Sequence, residues 1–173
     1  IKEKQWQTNC LYGRCEMKKV FWVYLILTVF LMVSIFYFSA QPGEKSSAVS
    51  ENVTKKVVTE EKIAHLPHKE ADKQFETVET IIRKSAHFII FSGLGFCIFM
   101  TFYHSGKMHK IYIICILSLI FCILYAVSDE VHQLFISERS GEVRDVLIDS
   151  SGSFLGILLA LFICKIKSKY KKR

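Results

Sequence analysis

The chain is poor in helix-breaking residues, with 2 prolines, Pro42 and Pro67, and 8 glycines among its 173 residues. Proline removes a backbone donor and interrupts a helix interior, so its scarcity leaves room for long unbroken helices. Other absences exclude whole classes. No internal repeat points to a solenoid, and no glycine-rich phosphate loop or dinucleotide fingerprint points to a nucleotide enzyme. Cys97, Cys115, Cys122 and Cys164 show no C-x-x-C spacing for zinc or redox work. They read as small packed or lipid-facing hydrophobes. Neither a nucleophile elbow nor an H-E-x-x-H helix is present, so no motif names a reaction.

What the chain has in excess is apolar sequence. It is 51% hydrophobic, with a mean hydropathy of +0.28 and a formal net charge of +7. A run of about 18 or more apolar residues crosses the roughly 30 Å hydrocarbon core of a bilayer as a helix. Four segments approach that length, at about residues 20–38, 86–103, 111–127 and 146–164. The last is the weakest by hydropathy, because its first turns hold Asp149, Ser150 and Ser151. A soluble chain of this size has too little polar helix to surround so much apolar surface. The expected fold is therefore all-α: an integral membrane four-helix bundle.

Charge placement predicts the orientation, since cytoplasmic loops collect Lys and Arg. Lys18 and Lys19 precede the first span, Lys107 and Lys110 separate the second and third, and a basic tail at 165–173 follows the fourth. In contrast, residues 128–145 carry five acids against Arg139 and Arg144. Both termini are therefore expected in the cytoplasm. The positive net charge then reports topology and contact with anionic lipid, and requires no nucleic acid.

Residues 1–16 differ in character from the rest of the chain, and Met17 opens a positive start, MKKVFWVY. Gly13-Arg14-Cys15-Glu16 is encodable by a sequence containing a bacterial ribosome-binding site. Residues 1–16 are thus expected to be a non-native upstream extension, and residues 17–164 a single membrane domain whose first span is retained. Between spans one and two, Val49, Val53 and Val57, then Phe75, Val78 and Ile82, recur at helical spacing. This predicts an amphipathic helical segment outside the cytoplasm, lying on the membrane or on the span ends.

The polar residues of the spans fall at one level in this topology. Lys84 and His87 enter span two, Asp129, Glu130 and Gln133 leave span three, and Arg139, Asp145 and Asp149 lead into span four. Helical neighbours lie three and four apart, so Asp145, Asp149, Gly152 and Gly156 form one stripe. Gly152-x-x-x-Gly156 permits close helix approach, which turns the acids toward the bundle interior. Ionisable groups at membrane depth are costly and mark function by default.

Lys84-x-x-His87-Phe88, Glu130-x-x-Gln133 and Asp145-Val-Leu-Ile-Asp149-x-x-Gly152-x-x-x-Gly156 together resemble the VanZ-like membrane proteins. The Ser39-x-Gln41-Pro42 exit from span one, Ser128-Asp129-Glu130 and Arg139 are similar to one branch of that family. The resemblance covers Met17 to Cys164. It implies a four-span bacterial envelope protein and a role in glycopeptide, including teicoplanin, susceptibility.

Three functions fit the polar ring. In the first, Lys84, His87 and Arg139 donate to the phosphate of a membrane lipid or lipid-linked envelope intermediate, while Asp129, Glu130, Gln133, Asp145 and Asp149 orient them. No motif demands a cofactor, although a divalent metal held by the acids and bridging to the phosphate is compatible with this set. In the second, the protein is an enzyme in which His87, Glu130, Asp145 and Asp149 perform acid/base or metal-assisted hydrolysis or transfer on a headgroup. Ser85, Ser128 and Ser140 are nucleophile candidates by proximity alone. In the third, the ring is a structural network without ligand.

Overall fold

The computed structural model describes residues 2–41, 68–106, 108, 110–136 and 141–171. Among them the chain is helical, with four helices: α1 (Lys2–Ser39), α2 (His68–His104), α3 (Ile111–Gln133) and α4 (Val143–Lys171). The amphipathic segment expected between the first two spans lies outside the described residues up to His68, where α2 begins and runs unbroken to His104. α1 starts at Lys2, and its membrane-crossing stretch, Met17–Ser39, agrees with the expected first span. Each helix contains a stretch long and apolar enough to cross a membrane: Met17–Ser39, Thr80–His104, Ile111–Gln133 and Val143–Ile166.

The surface of these stretches is apolar. Trp22, Ile26, Phe30, Leu124 and Phe162 are each at least 58% exposed. Large side chains left out of the core in such numbers are costly in water and neutral in lipid. Polar residues instead turn inward, with Asp129, Asp149, Ser39, Ser118 and Ser153 all buried. The chain is thus built with apolar side chains outward and its polar groups in the bundle, as a multi-pass membrane protein requires.

Helix directions alternate, so α2 and α4 run parallel to each other, as do α1 and α3. The α2–α4 interface is the most extensive, and small residues explain why. A Cβ on Gly152 would strike the backbone oxygen of Phe88, one on Gly156 that of Ser92, and one on Gly95 that of Ser153. Close backbone approach maximises dispersion contact in a solvent that offers no hydrophobic drive between helices. Ser153 Oγ adds a hydrogen bond to the Phe91 carbonyl at 3.2 Å. The apolar stretch of α2 is 44% buried and that of α1 only 11%, which makes α2 the central helix and α1 a peripheral one.

Two apolar clusters fill the interior. Ile35, Phe91, Leu94, Ile98, Cys122 and Ala126 form one, next to the polar end. Phe99, Met100, Ile114, Ile157, Ala160 and Cys164 form the other, toward the end where Lys110 and Lys165 are exposed. The same end carries exposed Lys18 and Lys19 at the start of the first span. The bundle is therefore electrostatically polarised: lysines alone mark one end, while at the other carboxylates gather with Lys84, Arg83 and Arg144.

Candidate functional site

The polar end is assembled from all four helices. Ser39 closes α1, Lys84 and His87 lie one turn apart on α2, Asp129, Glu130 and Gln133 end α3, and Glu142, Asp145 and Asp149 open α4. Three layers can be distinguished from the rim inward.

At the rim, Lys84 Nζ sits 2.5 Å from Asp145 Oδ1 and 3.5 Å from Glu142 Oε2. Asp145 is on the first turn of α4 and Glu142 immediately precedes that helix, so this cation ties α2 to α4 where they enter the bundle. The lysine is partly shielded from solvent while Glu142 is half exposed, which makes the Asp145 contact the stronger of the two.

Below it, Glu130 reaches across from α3. Its Oε2 accepts the backbone N–H of Glu142 at 3.0 Å, in the turn that starts α4. The first backbone donors of a helix have no partner within it, and Glu130 supplies a charged acceptor from another helix. Gly141 lets the two segments meet, because a Cβ there would lie 2.9 Å from the Glu130 carbonyl oxygen. Glu130 is accordingly a positioning residue for α4.

The deepest layer holds Asp129, Asp149 and His87. Asp129 is 2% exposed. Its Oδ2 accepts the Ser39 hydroxyl at 2.8 Å and the Gln133 amide at 3.0 Å, whereas its Oδ1 accepts nothing from the described residues. Asp149 is 1% exposed, and neither of its carboxylate oxygens accepts a hydrogen bond from the described residues. His87 Nδ1 stands 3.8 Å from Asp149 Oδ2, beyond hydrogen-bond range but within range of charge attraction. The His87 ring stacks on Phe91 at 6.4 Å between centroids. One ligand-type atom from each of His87, Asp129 and Asp149 lies within 4.8 Å of the other two.

Beside this end a groove of about 390 Å³ runs along α2 and α4, lined by Thr80, Ile81, Lys84, Ser85, Phe88, Ile89 and Ile148. Its walls are mainly apolar, with Thr80, Lys84 and Ser85 as its polar members.

Of the ring expected from sequence, Lys84 and Asp145 are joined at the rim, Glu130 braces α4, and His87, Asp129, Gln133 and Asp149 come together in the interior. Arg139 and Ser140 lie outside the described residues. Ser128 donates to the Tyr125 carbonyl of its own helix at 2.9 Å. Gly152 and Gly156 sit in the α2–α4 contact. Sequence reading missed Ser39 and Glu142 as members of the polar end. A small hydroxyl residue at the exit of an apolar span, and an acid just before a helix start, were the available signals.

This constellation, a lipid-facing bundle with carboxylates gathered at one end, defines a multi-pass membrane protein with an intramembrane polar site. The chain belongs to the VanZ/LLP1 family, whose sequence model matches residues 21–164. Neither a curated protein nor a solved structure matches it significantly.

Proposed function

We propose that the polar end of the bundle binds the phosphate-bearing headgroup of a membrane lipid or lipid-linked envelope intermediate, on the extracytoplasmic side. The observation that carries this reading is the groove. A shallow, mainly apolar surface groove on α2, flanked by Ile148 of α4, carries Lys84 and Ser85 midway between Ile81 and the Phe88–Ile89 turn, which suits a molecule with a hydrocarbon chain and a polar end. Lys84 has three donors; Asp145 and Glu142 take two and hold the ammonium at the groove, which leaves the third for a phosphate. Arg139, the other cation the sequence offers for a phosphate, lies outside the described residues. The side of the membrane follows from the lysines at the opposite end of the bundle.

Binding of an envelope intermediate would link the protein to glycopeptide susceptibility, because such antibiotics act on envelope precursors. A second reading, acid/base chemistry on the headgroup, draws on the His87–Asp149 pair. A general base needs a proton acceptor within reach of substrate, and Asp149 has unoccupied oxygens one helical turn inward from Asp145.

The test is lipid retention. Full-length protein purified in mild detergent is analysed by native mass spectrometry, alongside Ser85→Trp, which fills the groove, and Lys84→Ala, which removes its cation. Wild type should retain a phosphate-bearing lipid, and both variants should lose most of it while remaining folded. Equal retention in all three would contradict the reading.

A further inference from the structure

We infer that His87, Asp129 and Asp149 form a binding site for one divalent metal ion of zinc size, buried inside the bundle beneath the headgroup site. The inference goes beyond lipid binding and stands on different residues.

Two observations carry it independently. The first is geometric. Donor atoms from three separate helices converge within 4.8 Å of one another, and atoms bound at about 2.0–2.2 Å to one ion are separated by about 3–4.4 Å. A small side-chain rotation closes that difference. The second is the state of the donors. Asp149 and Asp129 are 1% and 2% exposed, yet both oxygens of Asp149 and Oδ1 of Asp129 accept no hydrogen bond from the described residues. Buried carboxylates ordinarily have their oxygens paired or bound to a metal.

Charge supports the same conclusion. Lys84 is engaged with Asp145 and Glu142, and among the described residues no lysine or arginine forms an ion pair with Asp129 or Asp149; the group facing Asp149 is the His87 imidazole at 3.8 Å. Two carboxylates and a neutral imidazole sum to two negative charges, which a divalent ion cancels. Burial of the pair then no longer strands a net charge in low dielectric. The donor set also restricts the ion. Calcium takes about 6–8 oxygen ligands, more than this cluster offers, whereas one imidazole with carboxylates suits zinc and its first-row neighbours. Three protein ligands leave a fourth position open, available to water or to a phosphate oxygen.

The second shell is already in place on one side. Ser39 and Gln133 both donate to Asp129 Oδ2, which fixes that carboxylate and leaves Oδ1 as its donor to the ion. Outer partners of this kind orient metal ligands and tune them.

The experiment uses full-length protein in detergent, with any affinity tag removed and metal stripped by a chelator. Zn²⁺ is titrated by equilibrium dialysis with elemental analysis, and Co²⁺ is added separately as a spectroscopic probe. Wild type should take up about one Zn²⁺ per chain and, with Co²⁺, develop visible absorption bands of an imidazole–carboxylate site. Loss of an outer-shell partner alone weakens metal sites about 10–100-fold, so His87→Gln and Asp149→Asn should weaken Zn²⁺ binding by at least about 100-fold. Lys84→Ala and Ser85→Trp should bind the ion as wild type does, whatever they do to lipid, which separates this inference from the headgroup reading. Both ligand variants are near-isosteric, and their melting without metal checks that they fold. A wild-type protein that binds no ion would overturn the inference even if neither variant folds. Undiminished binding in folded His87→Gln and Asp149→Asn would overturn it equally.

Discussion

Ser39 and Asp129, 90 residues apart in the chain, meet where α1 and α3 end together, with the serine hydroxyl donating to Asp129 Oδ2 at 2.8 Å. Gln133 Nε2 donates to the same oxygen at 3.0 Å and lies 3.4 Å from the serine hydroxyl. All three residues are buried, so the peripheral helix α1 is fastened to the bundle through a polar contact at its end. Ser39→Ala should lower stability by about 0.5–1.5 kcal/mol through the lost hydrogen bond. A double-mutant cycle with Asp129→Ala should return a coupling of about 0.5–3 kcal/mol, as contacting residues do. Chemical unfolding in mixed micelles measures both.

Glu130 is expected to tolerate loss of charge better than loss of its oxygen. Gln at that position keeps an acceptor for the Glu142 N–H, whereas Ala strands a donor at the start of α4 and costs about 1–3 kcal/mol. Glu130→Gln should therefore melt near wild type and Glu130→Ala clearly below it. The reverse order would remove Glu130 from its positioning role.

The α2–α4 contact makes a steric prediction. A methyl group on Gly156 meets the Ser92 backbone oxygen, and backbone cannot yield as a flexible side chain does. Gly156→Ala should cost about 1–3 kcal/mol, the usual range for overpacking, and Gly156→Leu should abolish the folded bundle. Gly93 is the internal control, because its Cβ would find only Leu31 Cδ1 at 3.7 Å. Gly93→Ala should melt within a few degrees of wild type.

Orientation is open to direct labelling. In a protein freed of its native cysteines, single cysteines replacing Ser50 and Ser140 should react with an impermeant thiol reagent on intact cells. One replacing Lys107 should react only after the membrane is opened. Labelling at Lys107 alone would invert the bundle and place the carboxylate end in the cytoplasm.

Helix class and number were legible in the sequence because apolar run length alone decides them. The stripe formed by Asp145, Asp149, Gly152 and Gly156 was legible too, since helical periodicity puts all four on one face and the glycines fix which face is packed. Pairing across helices was not. Lys84 meets Asp145 at a separation of 61 residues and Glu142 at 58, and those partners depend on how far α4 slides along α2. The slide is set by Gly95, Gly152 and Gly156 meeting particular carbonyl oxygens, which no one-dimensional pattern encodes. Ser39 was overlooked for the same reason. A serine at a span exit is unremarkable until α3 delivers Asp129 beside it. Nor does residue order separate Glu130, whose oxygen serves a backbone donor, from Asp149, whose oxygens serve none among the described residues.

Headgroup binding beside the α2–α4 groove is tested most directly by photo-crosslinking. Full-length protein in nanodiscs containing a phosphate lipid with a photoactivatable chain is irradiated, digested and sequenced by mass spectrometry. The account predicts adducts concentrated on the groove residues Ile81, Phe88, Ile89 and Ile148, abolished by Ser85→Trp and competed by unlabelled phosphate lipid but not by an uncharged diacylglycerol. Adducts spread evenly over lipid-facing Trp22, Phe30, Leu124 and Phe162, and unaffected by the groove variant, would contradict it.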